Sequence, residues 1–383
     1  MQDTELLKYG KYLTSLISSV ILNTQPPEPF EGIDWTKLFK LAKKHDTAVM
    51  IFPAIINMEL PEEARALFLN DKNRMVARST RQTIEAENVM NELERNSIKY
   101  IKLKGSHIRK IYPFDYMRTF SDIDLCLSDE DRKKARPIME SLGYTFGGAN
   151  EYHDEYERDN FYFFELHSHI VPPSASYHAV FEEPFSKSVA VNGSKFCYEF
   201  NNEYLYLNLI FHLHKHFVRS GCGIRLFTDL LVYENYVNDV DWNFIKSILK
   251  EYDLLDFFNT VQKLNEFFFY KKNADKNIKT IAEYIFKNQT SGINNNFVAN
   301  FSFWGKIKYL LKIWFPPAKE LAFRYPVLEK APVLLPVCWV RRIFYSLFFN
   351  RSAFTTQVNN VKKFNSEEFK EIKNARDLAT KNK

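Results

Sequence analysis

The sequence predicts an α+β fold, in which a small mixed-sheet core is flanked by N-terminal and C-terminal helical regions. Two changes of hydrophobic period support this prediction. Apolar residues recur at helical spacing up to about residue 95, then alternate at strand spacing, and return to helical spacing from Asn201 onward. We therefore predict three regions: helices over 1–95, the sheet core over 96–200 and helices over 201–383.

The N-terminal region has the apolar spacing of helices. The apolar residues of its first helix are Leu6, Leu7, Tyr9, Leu13, Leu16 and Ile17. A proline-rich turn at residues 26–29 interrupts the pattern, after which Asp34 stands as an N-cap before Trp35. The stretch from Pro61 to Glu94 then predicts one or two long helices that are polar on most faces.

Short strands alternate with helices in the middle region. Residues 98–103, 121–127 and 160–170 are the stretches with strand character. A short helix is expected after the first of them, and Ser128 is the expected cap of a longer helix after the second. This alternation is the basis for the predicted sheet core.

The C-terminal region returns to the helical period. Residues 208–218 predict a helix that carries three histidines, and residues 221–230 predict a loop that enters another helix. Asp241 repeats the N-cap position of Asp34, and a tryptophan follows each of them. Residues 288–300 are rich in asparagine and are expected to form a linker or loop.

Glycine is scarce, and this excludes two common kinds of nucleotide-binding loop. The chain has 11 glycines in 383 residues, which is about 3%, whereas glycine makes up about 7% of ordinary proteins. The Rossmann fingerprint needs three glycines in six positions, and the P-loop needs GxxxxGK[ST]. The nearest approach is Gly221-x-Gly223, but Leu226 stands where the third glycine should be. If the protein handles a nucleotide, it uses neither loop.

Charge and cysteine spacing limit the class of protein further. The net charge of +5 is too small to predict a nucleic-acid partner. The four cysteines lie far apart without a CxxC pair, so a disulfide framework or zinc site is not expected. The first residues lack the features of a signal peptide, and the longest apolar stretch, 331–340, is about half a membrane span. A cytoplasmic location is the resulting expectation.

The residues most suited to chemistry lie in the middle region. Gly105 and Ser106 form a turn between a strand and a helix, where backbone amides can bind an anion. Asp122 and Asp124 lie on one face of the next strand, and Glu165 on another strand adds a third carboxylate. Carboxylates this close repel unless a cation lies between them, and oxygen ligands favour Mg²⁺. The pattern predicts metal-assisted phosphoryl or nucleotidyl transfer.

These residues resemble a known family. The motifs that carry the resemblance are LKGS at 103–106, Tyr112-Pro113, Arg118, DIDL at 122–125, ELH at 165–167, the histidine segment 212–216, Gly223-Ile224-Arg225, Asp229-Leu230, Asp241-Trp242 and the segment 315–341. Together they are similar to the uncharacterised nucleotidyltransferase family, within the DNA polymerase beta-like nucleotidyltransferase superfamily. The turn has Ser106 where many superfamily members have a second glycine.

The resemblance implies a role for each of these residues. Asp122 and Asp124 are expected to hold Mg²⁺, with Mn²⁺ as the alternative. Glu165 completes a second metal position or takes the proton from an acceptor hydroxyl. Gly105 and Ser106 are expected to grip the β- and γ-phosphates of an NTP, with ATP as the first guess. The remaining candidate nucleotide-binding residues are Lys104, Arg118, His167 and Arg225.

Two other functions stay open. One is a nucleotide- or partner-binding module with an inactive centre, which is disfavoured because all three carboxylates are present. The other is a toxin or antitoxin of nucleotidyltransferase type that modifies a protein or RNA. The resemblance identifies neither the base nor the acceptor.

Several residues allow two interpretations. Helical spacing puts His212 and His216 on one face of a helix and His214 on another. The first two could be zinc ligands, but residues that line a cavity or pack in the core are the commoner explanation. Arg225 and Asp229 are expected to form a helix ion pair, with a phosphate contact by Arg225 as the alternative. The aromatic runs 267–270 and 344–349 favour helical core over a lipid or partner surface, and the basic stretch 341–351 could contact an anionic membrane.

Overall fold

A mixed seven-stranded sheet lies between two sets of helices in the computed structural model. The structure describes residues 3–119, 122–149, 152–159, 161–172, 175–219, 221–287, 314–321, 325, 327–349 and 366–380. Within these residues, helices precede and follow the sheet along the chain. The predicted α+β class is therefore confirmed.

The N-terminal helices are those that the apolar spacing predicts. They are α1 (Asp3–Ile21), α2 (Trp35–Lys44), α3 (Phe52–Ile55) and α4 (Glu62–Arg95). The Asp34 carboxylate caps α2 by accepting hydrogen bonds from two amides of its first turn, at 2.9 and 3.0 Å. The stretch from Pro61 to Glu94 contributes to a single helix, α4, of 34 residues.

The strands form the order β3-β4-β5-β2-β1-β7-β6. They are β1 (Tyr100–Lys102), β2 (Ile123–Cys126), β3 (Thr145–Ala149), β4 (His153–Arg158), β5 (Tyr162–His167), β6 (Ser188–Ala190) and β7 (Cys197–Phe200). The β1–β7 and β2–β5 pairs are parallel, and the other four pairs are antiparallel. The sheet is therefore mixed, as predicted.

Four of these strands have no counterpart among the predicted ones. The three predicted stretches correspond to β1, β2 and β5, whereas β3, β4, β6 and β7 were not expected. Gly147 and Gly148 in β3 lie at an irregular register with β4 and weaken its strand pattern. The strand β4 reads His-Asp-Glu-Tyr-Glu-Arg, which lacks the β-branched residues that mark most strands.

Two helices of the middle region position the sheet. The short helix α5 (Lys104–Ile108) follows β1 directly, and α6 (Asp129–Ser141) follows β2 with Ser128 as its side-chain cap. One face of the sheet packs against α4 and α6. The buried residues of this layer are Ala86, Val89, Leu93, Ile98, Tyr100, Ile123, Leu125, Leu127, Ala135, Met139, Tyr144, Tyr156, Phe164, Leu166 and Cys197. The polar side chains described below lie on the opposite face of the sheet.

The helices after the sheet pack with the N-terminal helices in a second, larger core. They are α7 (Asn202–Arg219), α8 (Ile224–Tyr236), α9 (Trp242–Glu251), α10 (Leu255–Phe269) and α11 (Lys276–Lys287). The run Phe267-Phe268-Phe269 is buried in this core, and only Tyr270 after it is exposed. Core packing therefore explains the first aromatic run. All four cysteines are free and buried.

The last described helices are α12 (Ala318–Leu321), α13 (Val327–Lys330), α14 (Leu335–Phe349) and α15 (Ser366–Thr380). Leu321, Leu328 and Cys338 form a small cluster of their own. No helix within the described ranges is long and apolar enough to cross a bilayer. The predicted linker at 288–300 lies outside the described residues, as do the side chains of 345–349 and residues 350–365.

Candidate functional site

Three adjacent strands, β4, β5 and β2, bring polar side chains to the sheet face opposite α4 and α6. Asp124 on β2 is the register partner of Glu165 on β5, and His153 on β4 is the partner of His167 on β5. Strand alternation puts these four residues on one face, because their neighbours Leu125 and Leu166 lie in the apolar layer beneath. The sheet is apolar on one side and ionisable on the other.

The three predicted catalytic carboxylates meet at this face. The ligand oxygens of Asp122, Asp124 and Glu165 all lie within 4.8 Å of one another. Asp124 is buried, whereas Asp122 and Glu165 are half-buried and reach the adjoining cavity. Carboxylates at this separation favour a cation between them, so the arrangement could hold a divalent metal ion.

His167, a candidate nucleotide-binding residue, lies among the carboxylates. Its Nε2 atom is 2.8 Å from Oδ1 of Asp124 and 3.1 Å from Oε2 of Glu165. The ring is buried at 3% exposure. His167 therefore contacts the candidate metal ligands directly.

Sequence reasoning missed His153. Its Nε2 atom is 3.1 Å from Oε1 of Glu155 and 4.0 Å from Oε1 of Glu165, and its ring centroid is 5.0 Å from that of His167. Its sequence signal is weak because β4 is too polar to be recognised as a strand. The available signal is that His153 and Glu155 are two residues apart and therefore share a face if residues 153–158 form a strand.

A cavity of about 240 Å³ opens beside the carboxylates. Its lining residues are Asp122, Tyr152, His153, Glu165, His167, Ile170, Val171, Pro172, Tyr177, Asn208, Phe211, His212, Lys215 and His216. The sheet forms its acidic side, and α7 adds two imidazoles and the Lys215 ammonium. The cavity thus combines acidic, basic and apolar surface.

The three histidines of α7 separate as helical spacing predicts. His212 and His216 both line the cavity, with ring centroids 4.4 Å apart. The ring of His214 instead packs against Phe257, at 4.9 Å. Among the described residues, neither group of three or more candidate metal ligands includes a histidine of α7.

The Gly-Ser turn lies next to the strand that carries Asp124. Gly105 is in the first turn of α5, which begins right after β1. The Ser106 hydroxyl donates a hydrogen bond to the Leu103 carbonyl at 2.6 Å and lies 3.4 Å from the Asp124 carbonyl. Its expected donation to a phosphate would require this hydroxyl to turn away from Leu103. The Lys104 side chain lies outside the described part of the chain.

The Arg118 guanidinium forms an ion pair with the carboxylate of Asp229. Its Nε and Nη2 atoms donate to the two carboxylate oxygens of Asp229 at 2.7 and 2.9 Å, and Nη1 donates to the Thr119 carbonyl at 3.0 Å. Burial alone would lower the pKa of Arg118, but Asp229 outweighs burial and raises it. Each nitrogen of this guanidinium therefore already donates to a protein acceptor, and the expected phosphate contact stays a prediction.

Arg225 lies in a different cavity from the carboxylates. Its Nη1 atom is 3.6 Å from Oδ2 of Asp46, and burial lowers its pKa. The expected ion pair of Arg225 with Asp229 is wrong, because Asp229 accepts hydrogen bonds from Arg118 and from the Tyr112 hydroxyl. The cavity that Arg225 lines has a volume of about 150 Å³, with Lys43, Asp46, Ala48, Val49, Asp71, Arg74, Met75, Arg78 and Thr119 as its other residues.

Comparison with known proteins adds one finding to this geometry. Searches of curated proteins and of solved structures returned no match. The family model described as "Uncharacterised nucleotidyltransferase" matches residues 31–269, a range that includes the whole sheet and every candidate site residue. This match covers more than half of the chain. The chain therefore belongs to the uncharacterised nucleotidyltransferase family.

Proposed function

We propose that this protein transfers a nucleoside monophosphate from an NTP to a hydroxyl acceptor, with pyrophosphate as the leaving group, at a polymerase beta-like site. Family membership supports nucleotidyl transfer in general terms. The observation that carries the specific proposal is the convergence of Asp122, Asp124 and Glu165, whose ligand oxygens lie within 4.8 Å beside a cavity. Such a set is suited to phosphoryl chemistry assisted by divalent metal.

The donor chemistry of the three carboxylates fits Mg²⁺. Hard oxygen ligands suit this ion, with Mn²⁺ as a substitute. Asp122 and Asp124 would hold it, and Glu165 would either complete a second position or take the proton of the acceptor hydroxyl. When bound, Mg²⁺ would neutralise triphosphate charge and polarise the α-phosphoryl group.

The proposed reaction is a single displacement at the α-phosphorus. A bond forms between the acceptor oxygen and the α-phosphorus, and the bond from the α-phosphorus to the bridging oxygen of the β-phosphate breaks. The bond electrons leave with pyrophosphate, and the acceptor proton passes to the carboxylate of Glu165 when that group holds no metal, and otherwise to solvent in the cavity. This residue is half-buried at the cavity wall, where an acceptor hydroxyl could reach it.

The remaining cavity residues suit the triphosphate and the base. With Arg118 held by Asp229, we assign neutralisation of phosphate charge to Lys215 on α7, which lines the cavity. The turn residues Gly105 and Ser106 keep their expected role toward the phosphates. Tyr177 and Phe211 stack with ring centroids 4.4 Å apart and supply an apolar wall suited to a base.

The test is NTP binding and turnover in the presence of Mg²⁺. The wild-type protein is titrated calorimetrically with each of the four NTPs and incubated with α-labelled NTPs, with pyrophosphate release or self-labelling as readout. Asp122→Asn combined with Asp124→Asn should abolish metal-dependent binding. Glu140→Gln, an exposed carboxylate on α6, should behave like wild type. No binding of any NTP, or equal binding by the double variant, contradicts the proposal.

Location and peripheral contacts are part of the same proposal. Four free and buried cysteines are compatible with a reducing cytoplasm, which we propose as the location. Membrane contact would depend on the exposed side chains of Val337 and Val340 on α14, next to Arg341. Failure to co-float with anionic vesicles would remove this contact from the proposal.

A further inference from the structure

Glu165 belongs to two groups of ligand atoms. One group is the carboxylate set with Asp122 and Asp124, and the other is formed with His153 and His167. In the second group, Oε2 of Glu165 is 3.1 Å from Nε2 of His167, and its Oε1 is 4.0 Å from Nε2 of His153. Two imidazoles and one carboxylate therefore point at the same small volume.

The register of the sheet holds this second group in place. His153 and His167 are direct partners across the antiparallel β4–β5 pair, and Glu165 is two residues before His167 on the same face. Both imidazoles are buried, at 6% and 3% exposure. Because the side chains come from paired strands and not from a loop, little rearrangement would be needed to bring three ligands around one ion.

The chemistry of the donors differs from that of the carboxylate set. Imidazole nitrogen is a ligand for Zn²⁺, Co²⁺ and other late transition-metal ions, whereas Mg²⁺ selects oxygen. Glu155 lies 3.1 Å from the same Nε2 atom of His153, opposite Glu165 in the register, so its carboxylate could join the ligand set when that nitrogen binds an ion. Glu165 keeps about a quarter of its side chain exposed to the cavity, so an ion can enter from solvent.

We propose that His153, Glu165 and His167 form a second divalent site, selective for a transition-metal ion over Mg²⁺, with Glu165 bridging it to the carboxylate site. The role of this ion rests on the proposed function, because the ion would add positive charge beside the reacting phosphate. The binding itself does not depend on nucleotide, so it can be measured without turnover.

The test uses Co²⁺ as the probe on the full-length, metal-free protein in excess Mg²⁺ and without nucleotide. We expect one Co²⁺ per chain by equilibrium dialysis, with visible absorption bands of a protein-bound ion. His153→Asn should weaken Co²⁺ binding by about tenfold or more. His153→Cys should retain binding and add a sulfur-to-cobalt absorption band, which a purely structural histidine would not produce. His214→Asn, on α7, is the matched control and should bind as wild type does, because its ring packs against Phe257 and does not line the cavity.

Two results would overturn the inference. One is displacement of Co²⁺ by Mg²⁺ at comparable concentration, and the other is unchanged Co²⁺ binding in a folded His153→Asn variant together with no sulfur band in His153→Cys. Failure of the proposed function is distinguishable. Co²⁺ bound through His153 in a protein that binds no NTP would leave the metal site standing and remove nucleotidyl transfer. NTP turnover with Mg²⁺ in a protein that binds no Co²⁺ would do the reverse.

Discussion

Arg118 and Asp229 form a buried bidentate ion pair across 111 positions of the chain, with hydrogen bonds of 2.7 and 2.9 Å. Arg118 lies in the loop that leads into β2, and Asp229 lies in the middle of α8. The Tyr112 hydroxyl also donates to Asp229, at 2.6 Å. The pair therefore fastens a helix of the C-terminal region to the loop just before Asp122.

Removal of one partner of this pair should be costly. Asp229→Ala would leave the Arg118 guanidinium buried without its counter-charge, which costs about 3–5 kcal/mol of unfolding free energy. Urea denaturation of the variant would measure this loss. The exposed pair of Arg136 and Glu140 is the comparison, and Glu140→Gln should change stability by no more than about 1 kcal/mol. A loss below that level in Asp229→Ala would show that the pair does not support the fold.

Neutralisation of Asp122 should remove the stabilisation by Mg²⁺ without lowering the stability of the metal-free protein. Because Asp122 faces Asp124 and Glu165, Asp122→Asn relieves repulsion and should leave the metal-free protein at least as stable as wild type. Mg²⁺ at about 100 times its dissociation constant should stabilise wild type by about 2.7 kcal/mol, and the variant by much less. Thermal unfolding with Mg²⁺ and with EDTA gives both quantities. An equal Mg²⁺ response in the two proteins would speak against the carboxylate site.

Stability should fall as pH drops below neutrality, partly because of His45. Burial lowers the pKa of this residue from 6.5 to about 4, and its Nε2 atom lies 3.2 Å from the Phe286 carbonyl. Between those values the unfolded chain binds the extra proton, so the contribution of His45 is complete above pH 6.5 and is lost toward pH 4.

The expected loss from His45 between pH 6.5 and pH 5 is on the order of 2 kcal/mol. Burial also lowers the pKa of His107 to about 4, so this residue contributes with the same sign. Urea titrations at both pH values should show a smaller difference in His45→Gln, whose amide can still donate to the Phe286 carbonyl. An unchanged pH dependence in that variant would contradict the assignment to His45.

Gly10 should be intolerant of a methyl group. A Cβ atom there would lie 2.4–2.5 Å from three ring atoms of Phe286, which is fully buried where α1 meets α11. Alanine favours a helix by about 1 kcal/mol relative to glycine, but overpacking costs about 1–3 kcal/mol. Gly10→Ala should therefore have a lower melting temperature than wild type.

A smaller side chain at position 286 should compensate for that change. Phe286→Leu alone loses buried volume and stability, but in the Gly10→Ala background it should cost less, because the added methyl occupies part of the space. A double-mutant cycle in urea gives the coupling energy. Additive effects, or a Gly10→Ala variant more stable than wild type, would mean that the helices adjust their spacing freely.

The helices and the strands β1, β2 and β5 could be recognised in the sequence because their patterns are local. The Asp34 cap and the apolar period of α1 each depend on residues within a few positions. The four remaining strands are short, polar or glycine-containing, and they are strands because neighbours pair with them. The polar strand β4 illustrates this, since its backbone bonds to β3 and β5 outweigh its weak intrinsic preference.

The candidate site divides in the same way. Alternation along β2 indicates from the sequence that Asp122 and Asp124 share a face, and the order of motifs identifies Glu165 as the third carboxylate. Nothing local predicts that Asp229 engages Arg118 or that His153 lies opposite His167. Those contacts join residues from separate elements.

The amino-acid sequence alone therefore determines the type of each periodic element, the kind of chemistry its carboxylates can support, and the family to which they point. The folded chain decides which ionisable groups become partners: Arg118 goes to Asp229, Arg225 to a separate cavity, and His153 joins Glu165. The physical reason is range. Hydrophobic periods and caps act within a turn or a strand, whereas the partner of a buried charge depends on strand register and helix packing across the whole core.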